Sequence, residues 1–327
     1  ISGHIKMKNE ITEIGNEVVD LQIKALKKLK NSINQSFNEA VKAIIKCKSK
    51  VIICGVGKSG KIASKISSTL SSVGSPSFSI SANDCSHGDL GRISRQDLLI
   101  LISYSGNTNE LKDLIKYAKN NKISLIGIVS NKDSNLYKSA NIKLYIPEVM
   151  ESGLGIVPTS STTAQLCLGD ALAIATMKVK KFGKLDFKKF HPAGNLGKKL
   201  KTASDVMLVK SKIPFVNQNE IMKKALKILN SKKLGFLVLI NDEGLNTGVF
   251  TDGDLKRLMQ KRKIIDNLKI KQFMTKKPFI VEKNTLATEI LNLMNKKKIT
   301  NVCVYDKKNK KKTVGVIHIH NLINALK

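Results

Sequence analysis

Tryptophan is absent from this chain of 327 residues, aromatic residues make up 5%, and only four of its 57 basic residues are Arg, at positions 92, 95, 257 and 262. Each scarcity removes a class of protein. Readers of bases and bidentate phosphate clamps favour Arg, and single-strand binders set stacking aromatics among their basic residues. Here lysines are spread along the chain with much Asn and Ile, the longest runs being Lys296 to Lys298 and Lys310 to Lys312. The net charge of +32, from 57 basic against 25 acidic residues, is therefore read as the composition of an AT-rich coding genome, and no nucleic-acid partner is expected. The cysteines Cys47, Cys54, Cys85, Cys167 and Cys303 are odd in number and dispersed without a CxxC pair. That excludes a disulfide framework or a zinc cluster and predicts reduced, buried thiols. No apolar run approaches the roughly 18 residues of a membrane span, nor does the start carry the apolar stretch of a signal peptide. The expectations are no membrane and a cytoplasmic location.

What is present is enough apolar material, 42% of residues, to fill buried cores, which excludes disorder as the main state. At about 150 residues per domain the length predicts two domains. Residues 1–6, ahead of Met7, are consistent with a vector remnant and are set aside. Apolar residues at helical spacing from Val19 to Cys47 predict two amphipathic helices. The run Val51-Ile52-Ile53-Cys54 then stops at Gly55-Val56-Gly57-Lys58-Ser59-Gly60. A short, wholly apolar run ending at glycines is the mark of a parallel strand buried on both faces. The pattern recurs: Leu98 to Ile102 ends in Ser103-Tyr104-Ser105-Gly106-Asn107-Thr108, Leu125 to Val129 ends in Ser130-Asn131, and Ile142 to Ile146 ends at Pro147. With helical stretches between them, such as Asn109 to Lys119, these strands predict a doubly wound α/β sheet, an αβα sandwich, with ligand sites where strand ends meet helix starts.

Near Lys201 the texture changes to an internal repeat. Gly248-Val249-Phe250-Thr251-Asp252-Gly253-Asp254-Leu255 is echoed by Gly315-Val316-Ile317-His318-Ile319-His320-Asn321-Leu322, and Asp205-Val206-Met207 by Gln272-Phe273-Met274. Two packed α+β copies are expected at 201–263 and 264–327, following a first domain at 7–200. His318 and His320 alternate in what reads as a strand and would share one face.

The glycine turn is not a P-loop, because Ile52 holds the place of its first glycine, nor a dinucleotide fingerprint, because no acidic residue follows at the expected distance. Its backbone N–H groups and Ser59 suit a phosphate; Ser59 as a helix N-cap is the alternative. Ser103, Ser105 and Thr108 around Gly106, and Thr159-Ser160-Ser161-Thr162-Thr163 after Pro158, are further hydroxyl clusters at helix starts. Three such clusters favour a small phosphorylated ligand over capping alone.

Taken together, Gly-Val-Gly-Lys-Ser-Gly, His87-Gly88-Asp89-Leu90-Gly91, Ser-x-Ser-Gly-x-Thr, Pro-Thr-Ser-Ser-Thr-Thr and His191-Pro192-x-Gly194 resemble a sugar isomerase (SIS) domain, and more narrowly the D-arabinose 5-phosphate isomerases. The repeated unit resembles a tandem cystathionine β-synthase (CBS) pair. The resemblance implies interconversion of D-ribulose 5-phosphate and D-arabinose 5-phosphate through an enediol, for 3-deoxy-D-manno-octulosonate synthesis, with no required cofactor, no metal site and a homotetrameric assembly. It implies Lys58, Glu110, Glu151 and His191 as catalytic positions: Glu110 or Glu151 as the C–H base, His191 as the proton shuttle between oxygens, and Lys58 as the electrostatic stabiliser. Gly57, Ser59, Gly74, Ser75, His87, Ser103, Ser105, Thr108, Ser160 and Ser161 would contact substrate, and Thr251 and Asp254 a regulatory nucleotide. Three departures stand out. The stretch after Glu148 is one residue short, which leaves Glu148 a rival to Glu151. Ser81-Ala82-Asn83-Asp84 replaces a His-Pro-Ala-Glu, and Pro-Ala-Gly follows His191 in place of Pro-Gly-Gly. The competing classes are a non-catalytic sugar-phosphate sensor, an isomerase of another phosphosugar, and a nucleic-acid binder.

Overall fold

The computed structural model describes residues 2–191, 197, 199–262 and 264–327, residues 2–9 as backbone only. The chain divides into two compact units, Ile1–Phe190 and His191–Lys327. In the first, helices α1 (Ser2–Ser32) and α2 (Gln35–Lys46) lead into β1 (Val51–Gly55). There follow α3 (Lys58–Ser72), β2 (Ser77–Ser81), the short α4 (Ala82–Cys85), β3 (Leu98–Ile102), α5 (Lys112–Asn120), β4 (Ser124–Val129), α6 (Asn135–Ser139), β5 (Ile142–Tyr145), α7 (Ser160–Val179) and α8 (Lys184–Phe190). Every strand pairing is parallel and the order is β2-β1-β3-β4-β5.

Successive side chains of a strand point to opposite faces, so a run buried on both sides has to be apolar throughout. Val51, Ile53, Ile100 and Ile128 pack with residues of α2, α3 and α7 in one core. Ile52, Cys54, Leu101 and Leu125 pack with α5 and α6 in the other. The sandwich expected from the pattern is thus the one observed. The additional strand β2, Ser-Phe-Ser-Ile-Ser, lies at the sheet edge with only Ile80 fully buried. An edge strand needs no continuous apolar run, so no such signal marked it. All five cysteines are free. Burial pushes the thiols of Cys54 and Cys303 up to about 12 and that of Cys85 to about 11; Cys167, by contrast, is exposed on α7.

The second unit contains α9 (Ala203–Val206), β6 (Phe215–Asn217), α10 (Met222–Lys232), β7 (Phe236–Ile240), β8 (Asn246–Thr251) and α11 (Asp252–Lys261), then β9 (Ile280–Glu282), α12 (Ala287–Lys297), β10 (Asn301–Asp306), β11 (Asn309–His318) and α13 (Ile319–Leu326). Each half forms a three-stranded sheet in which the first strand runs parallel and the third antiparallel to the middle one. Asn246 Nδ2 donates to Thr313 Oγ1 at 2.8 Å, and these residues stand 67 positions apart. Contact between counterparts is what a local twofold axis between two copies produces.

The copies also exchange their leading segments. Ala203, Val206 and Met207 pack in the core of the second copy, with Leu208 bridged to Val316. Ile270, Phe273 and Met274 pack in the core of the first, with Thr275 bridged to Val249. Each methionine lies over a glycine: an added Cβ on Gly315 would collide with Met207, and one on Gly248 would meet Thr275 O at 2.7 Å and Met274 Sδ at 2.9 Å. We therefore expect Gly248→Ala to destabilise the second unit by about 1–3 kcal/mol through overpacking, read as a lower Tm in a thermal melt; an unchanged melt would show that the exchanged segment is not held by this contact.

Candidate functional site

In a doubly wound sheet, ligands bind beyond the strand C-termini where the strand order reverses. Here that point is between β1 and β3. Gly55 and Gly60 bring the end of β1 against the start of α3: a Cβ on Gly55 would stand 2.8 Å from Ser59 backbone atoms, and one on Gly60 2.8 Å from Gly55 O. The helix begins at Lys58, with Gly57 at φ 58° as its N-cap and no capping side chain. Ser59 is therefore not the cap. A cleft of about 360 Å³ opens at this place, lined by Lys58 and Ser59 from the turn, Tyr104 from the end of β3, Glu151 and Pro158 from the β5–α7 connection, and Ser161, Thr162 and Gln165 from the first turns of α7.

Glu151 has the most developed environment of these. Its carboxylate accepts hydrogen bonds from the Thr159 N–H at 2.8 Å, the Ser160 N–H at 2.8 Å, the Ser161 N–H at 3.3 Å and the Thr159 hydroxyl at 3.2 Å. These backbone donors are the otherwise orphaned ones at the N-terminus of α7, where the helix dipole favours an anion. Partial burial works to raise the carboxyl pKa, but bonds from the Ser161 hydroxyl, the Thr159 and Ser161 N–H groups and the Thr159 hydroxyl together outweigh it and hold the group below its ordinary value. The connection that carries Glu151 is pinned by the Val149 N–H, which donates to Tyr104 Oη at 2.9 Å. It then turns through Gly153, Leu154 and Gly155, all at positive φ. Glu148 is exposed, and its carbonyl accepts from Lys28 Nζ at 3.0 Å; of the two rival carboxylates only Glu151 reaches the cleft.

The loop after β3 is held by its own hydroxyls. Ser103 Oγ lies 2.7 Å from Thr108 Oγ1 and accepts the Gly106 N–H at 3.0 Å, while Ser105 Oγ accepts the Asn107 N–H at 3.4 Å. Ser103 is buried and Ser105 exposed. The helical stretch expected from Asn109 starts as an α-helix only at Lys112: Glu110 occupies a 3₁₀ turn, Asn109–Leu111, ahead of α5, is exposed, and is not among the residues that line the cleft.

Other expected positions are not gathered there within one chain. Gly74 and Ser75 follow the C-terminus of α3, at the opposite edge of the sheet. Their carbonyl and hydroxyl accept from Lys180 Nζ at 2.7 and 3.2 Å. Lys180 caps the far end of α7, and a helix of 20 residues spans about 30 Å. His87 is exposed in the turn after α4. Ser160 is buried and contributes its N–H to Glu151. His191 is the first residue of the second unit, and Pro192 to Gly194 lie outside the described residues. Tyr104, Thr162 and Gln165 were not singled out from sequence. Tyr104 and Thr162 stand inside the hydroxyl motifs, but the amide of Gln165 had no local signal. Among the described residues no group of three or more His, Cys, Asp or Glu is arranged to hold a metal.

The second unit holds a larger cleft, about 710 Å³, lined by Thr251, Asp252, Asn301, His318 and His320 among others. Thr251 and Asp254 form a reciprocal capping box on α11: Asp254 accepts from the Thr251 N–H and hydroxyl at 2.9 and 2.8 Å and pairs with Arg257. Thr251 therefore faces the cleft while the Asp254 carboxylate serves the helix. The equivalent cap is His318, whose Nδ1 accepts the His320 N–H at 3.2 Å. Since β11 ends at His318 and His320 belongs to α13, the two histidines do not alternate along a strand; their rings meet across the cap at 5.0 Å.

Comparison with known proteins adds independent support. Residues 44–175 match the SIS domain family, and residues 203–261 and 270–327 each match the CBS domain family. The chain is 40% identical over 318 residues to the arabinose 5-phosphate isomerase KdsD of Yersinia pestis, covering 97% of this chain and 96% of that one. The KdsD of Escherichia coli (strain K12) is 38% identical over the same length and shares. Among solved structures, E. coli CFT073 c3406 in complex with arabinose 5-phosphate is 34% identical and aligns with a TM-score of 0.55, covering 56% of this chain and 98% of that one.

The geometry of Glu151 sets a pH-dependent stability. A carboxyl whose folded pKa is lowered contributes stability that is complete above its unfolded value, about 4.3, and lost as pH falls through the folded one. Glu151→Gln is expected to lower stability by about 0.3–1 kcal/mol near neutral pH, with the gap in Tm to the parent closing below about pH 4; a gap independent of pH would mean that the charge does not act on α7.

Proposed function

The chain belongs to the arabinose 5-phosphate isomerase family, an SIS domain followed by a CBS pair, and on that footing we propose that it interconverts D-ribulose 5-phosphate and D-arabinose 5-phosphate. The observation that carries the reading is the meeting of Lys58 and Glu151 in one cleft at the strand-order reversal. The isomerisation is an internal redox reaction: a proton leaves C2 of the aldose and reaches C1, a second moves from the C2 hydroxyl to the C1 oxygen, and no external oxidant or cofactor is consumed. Glu151, ionised at neutral pH, is the better placed of the two candidate carboxylates to carry the carbon-bound proton. Lys58 opposes the charge that develops on the enediolate oxygen. His191 as the oxygen-to-oxygen shuttle, Glu110 as the rival base, and the loop of Ser103, Ser105 and Thr108 as the phosphate cradle follow the family resemblance. So do a cytoplasmic homotetramer and the supply of arabinose 5-phosphate to 3-deoxy-D-manno-octulosonate synthesis. The net charge of +32 would concentrate an anionic pentose phosphate near the site at low salt.

In the second unit the proposal is a regulatory adenine nucleotide whose ribose engages Thr251, with Asp254 holding that hydroxyl in place through the capping box.

Incubation with ribulose 5-phosphate in deuterated water should give arabinose 5-phosphate labelled at C2, identified by NMR; ribose 5-phosphate or no product would overturn the substrate assignment. Lys58→Met and Glu151→Gln should each lower kcat by about 10²-fold or more, and full turnover of the Glu151 variant would remove it as base. Calorimetric titration with AMP and ATP should give heat that Thr251→Val abolishes, whereas no heat with either nucleotide would argue against regulation.

A further inference from the structure

Gln165 lies in the second turn of α7, four residues after Ser161, and lines the cleft beside Lys58 and Glu151. It is 1% exposed, and its amide oxygen has no hydrogen-bond partner. An unpartnered polar atom in such a position costs about 1–3 kcal/mol, and an apolar residue of the same length would fill the space without that cost. The unmet demand is that of the amide oxygen, and because Gln165 lines the cleft, a group that enters there is in place to meet it. The missing partner is a donor. A phosphate dianion brings acceptors only, whereas each hydroxyl of a sugar chain brings a donor. The base of the site is already committed in a complementary way: Ser161 gives its N–H and hydroxyl to Glu151 one turn above, and among the described residues no donor reaches the Gln165 amide oxygen.

We propose that Gln165 is a specificity-determining residue of the site, its amide accepting a hydrogen bond from a hydroxyl at the reacting end of the pentose chain and so selecting a polyhydroxylated substrate. The inference rests on the isomerase reading and adds to it a residue outside its proton-transfer groups. A ligand that lacks the hydroxyl leaves the amide oxygen buried and unpaired, which is how sites built around a hydrogen bond discriminate.

The test uses Gln165→Met, an apolar residue of similar length, in the full chain. Its Tm is expected to equal or exceed that of the parent, while kcat/KM for ribulose 5-phosphate falls about tenfold, mostly through KM, and competition by inorganic phosphate is unchanged. Unchanged kcat/KM would overturn the proposal, as would an equal loss of affinity for inorganic phosphate, which would place Gln165 with the phosphate. A fall in Tm that accompanies the loss, and that Gln165→Leu reproduces, would reduce the residue to a structural role. Parent protein without isomerase activity would sink the underlying reading alone; calorimetry of arabinose 5-phosphate binding to parent and variant would then still decide the inference, with equal affinities, or no binding to either, overturning it.

Discussion

A parallel strand buried on both faces cannot turn back on itself; a helix must return the chain to the starting edge, and every such crossover begins at the same edge of the sheet. The first unit follows from that constraint. Because β1 to β5 all run one way, the turn after β1, the loop after β3 and the connection after β5 open on one side, and the reversal of strand order leaves a crevice between them. The glycine pair Gly55 and Gly60 lets β1 and α3 close to backbone contact there, so that Lys58 enters the crevice from the first residue of a helix.

The same edge gathers helix N-termini, whose unpaired N–H groups require an acceptor. In α7 that acceptor is Glu151. One side chain thereby closes the helix and presents a carboxylate to the cleft. The hydrogen bonds that keep it ionised also make it a weaker base, so structure and chemistry draw on the same oxygens. The hydroxyls of the β3 loop show a related economy, since Ser103 and Thr108 hold one another and the Gly106 N–H in place.

In the second unit, the physical theme is exchange. Each copy completes its core with the leading segment of the other, Met207 over Gly315 and Met274 over Gly248. The helices that begin at the cleft are capped from within, by Asp254 on Thr251 and by His318 on the His320 N–H. The two halves therefore share a fold while offering different chemistry to the cleft, a hydroxyl on one side and a pair of mutually tilted imidazoles on the other.

What the sequence determined by itself was whatever a few consecutive residues must satisfy. Burial on both faces imposes apolar runs, so β1, β3, β4 and β5 were legible; tight strand-to-helix turns impose glycine, so the edge that carries the site was legible as well. The repeat was visible because both copies solve one packing problem. The edge strand β2 was not, because one half-buried face imposes little. Only the tertiary structure decided that Glu151 rather than Glu148 reaches α7, that Glu110 stands in an exposed 3₁₀ turn, that Gly74 and Ser75 end up on the far side of the sheet, that Gln165 is buried with an unpaired oxygen, and that the two copies trade segments. Each of these depends on where distant parts of the chain meet after the crossovers are made, and local composition carries no record of that meeting.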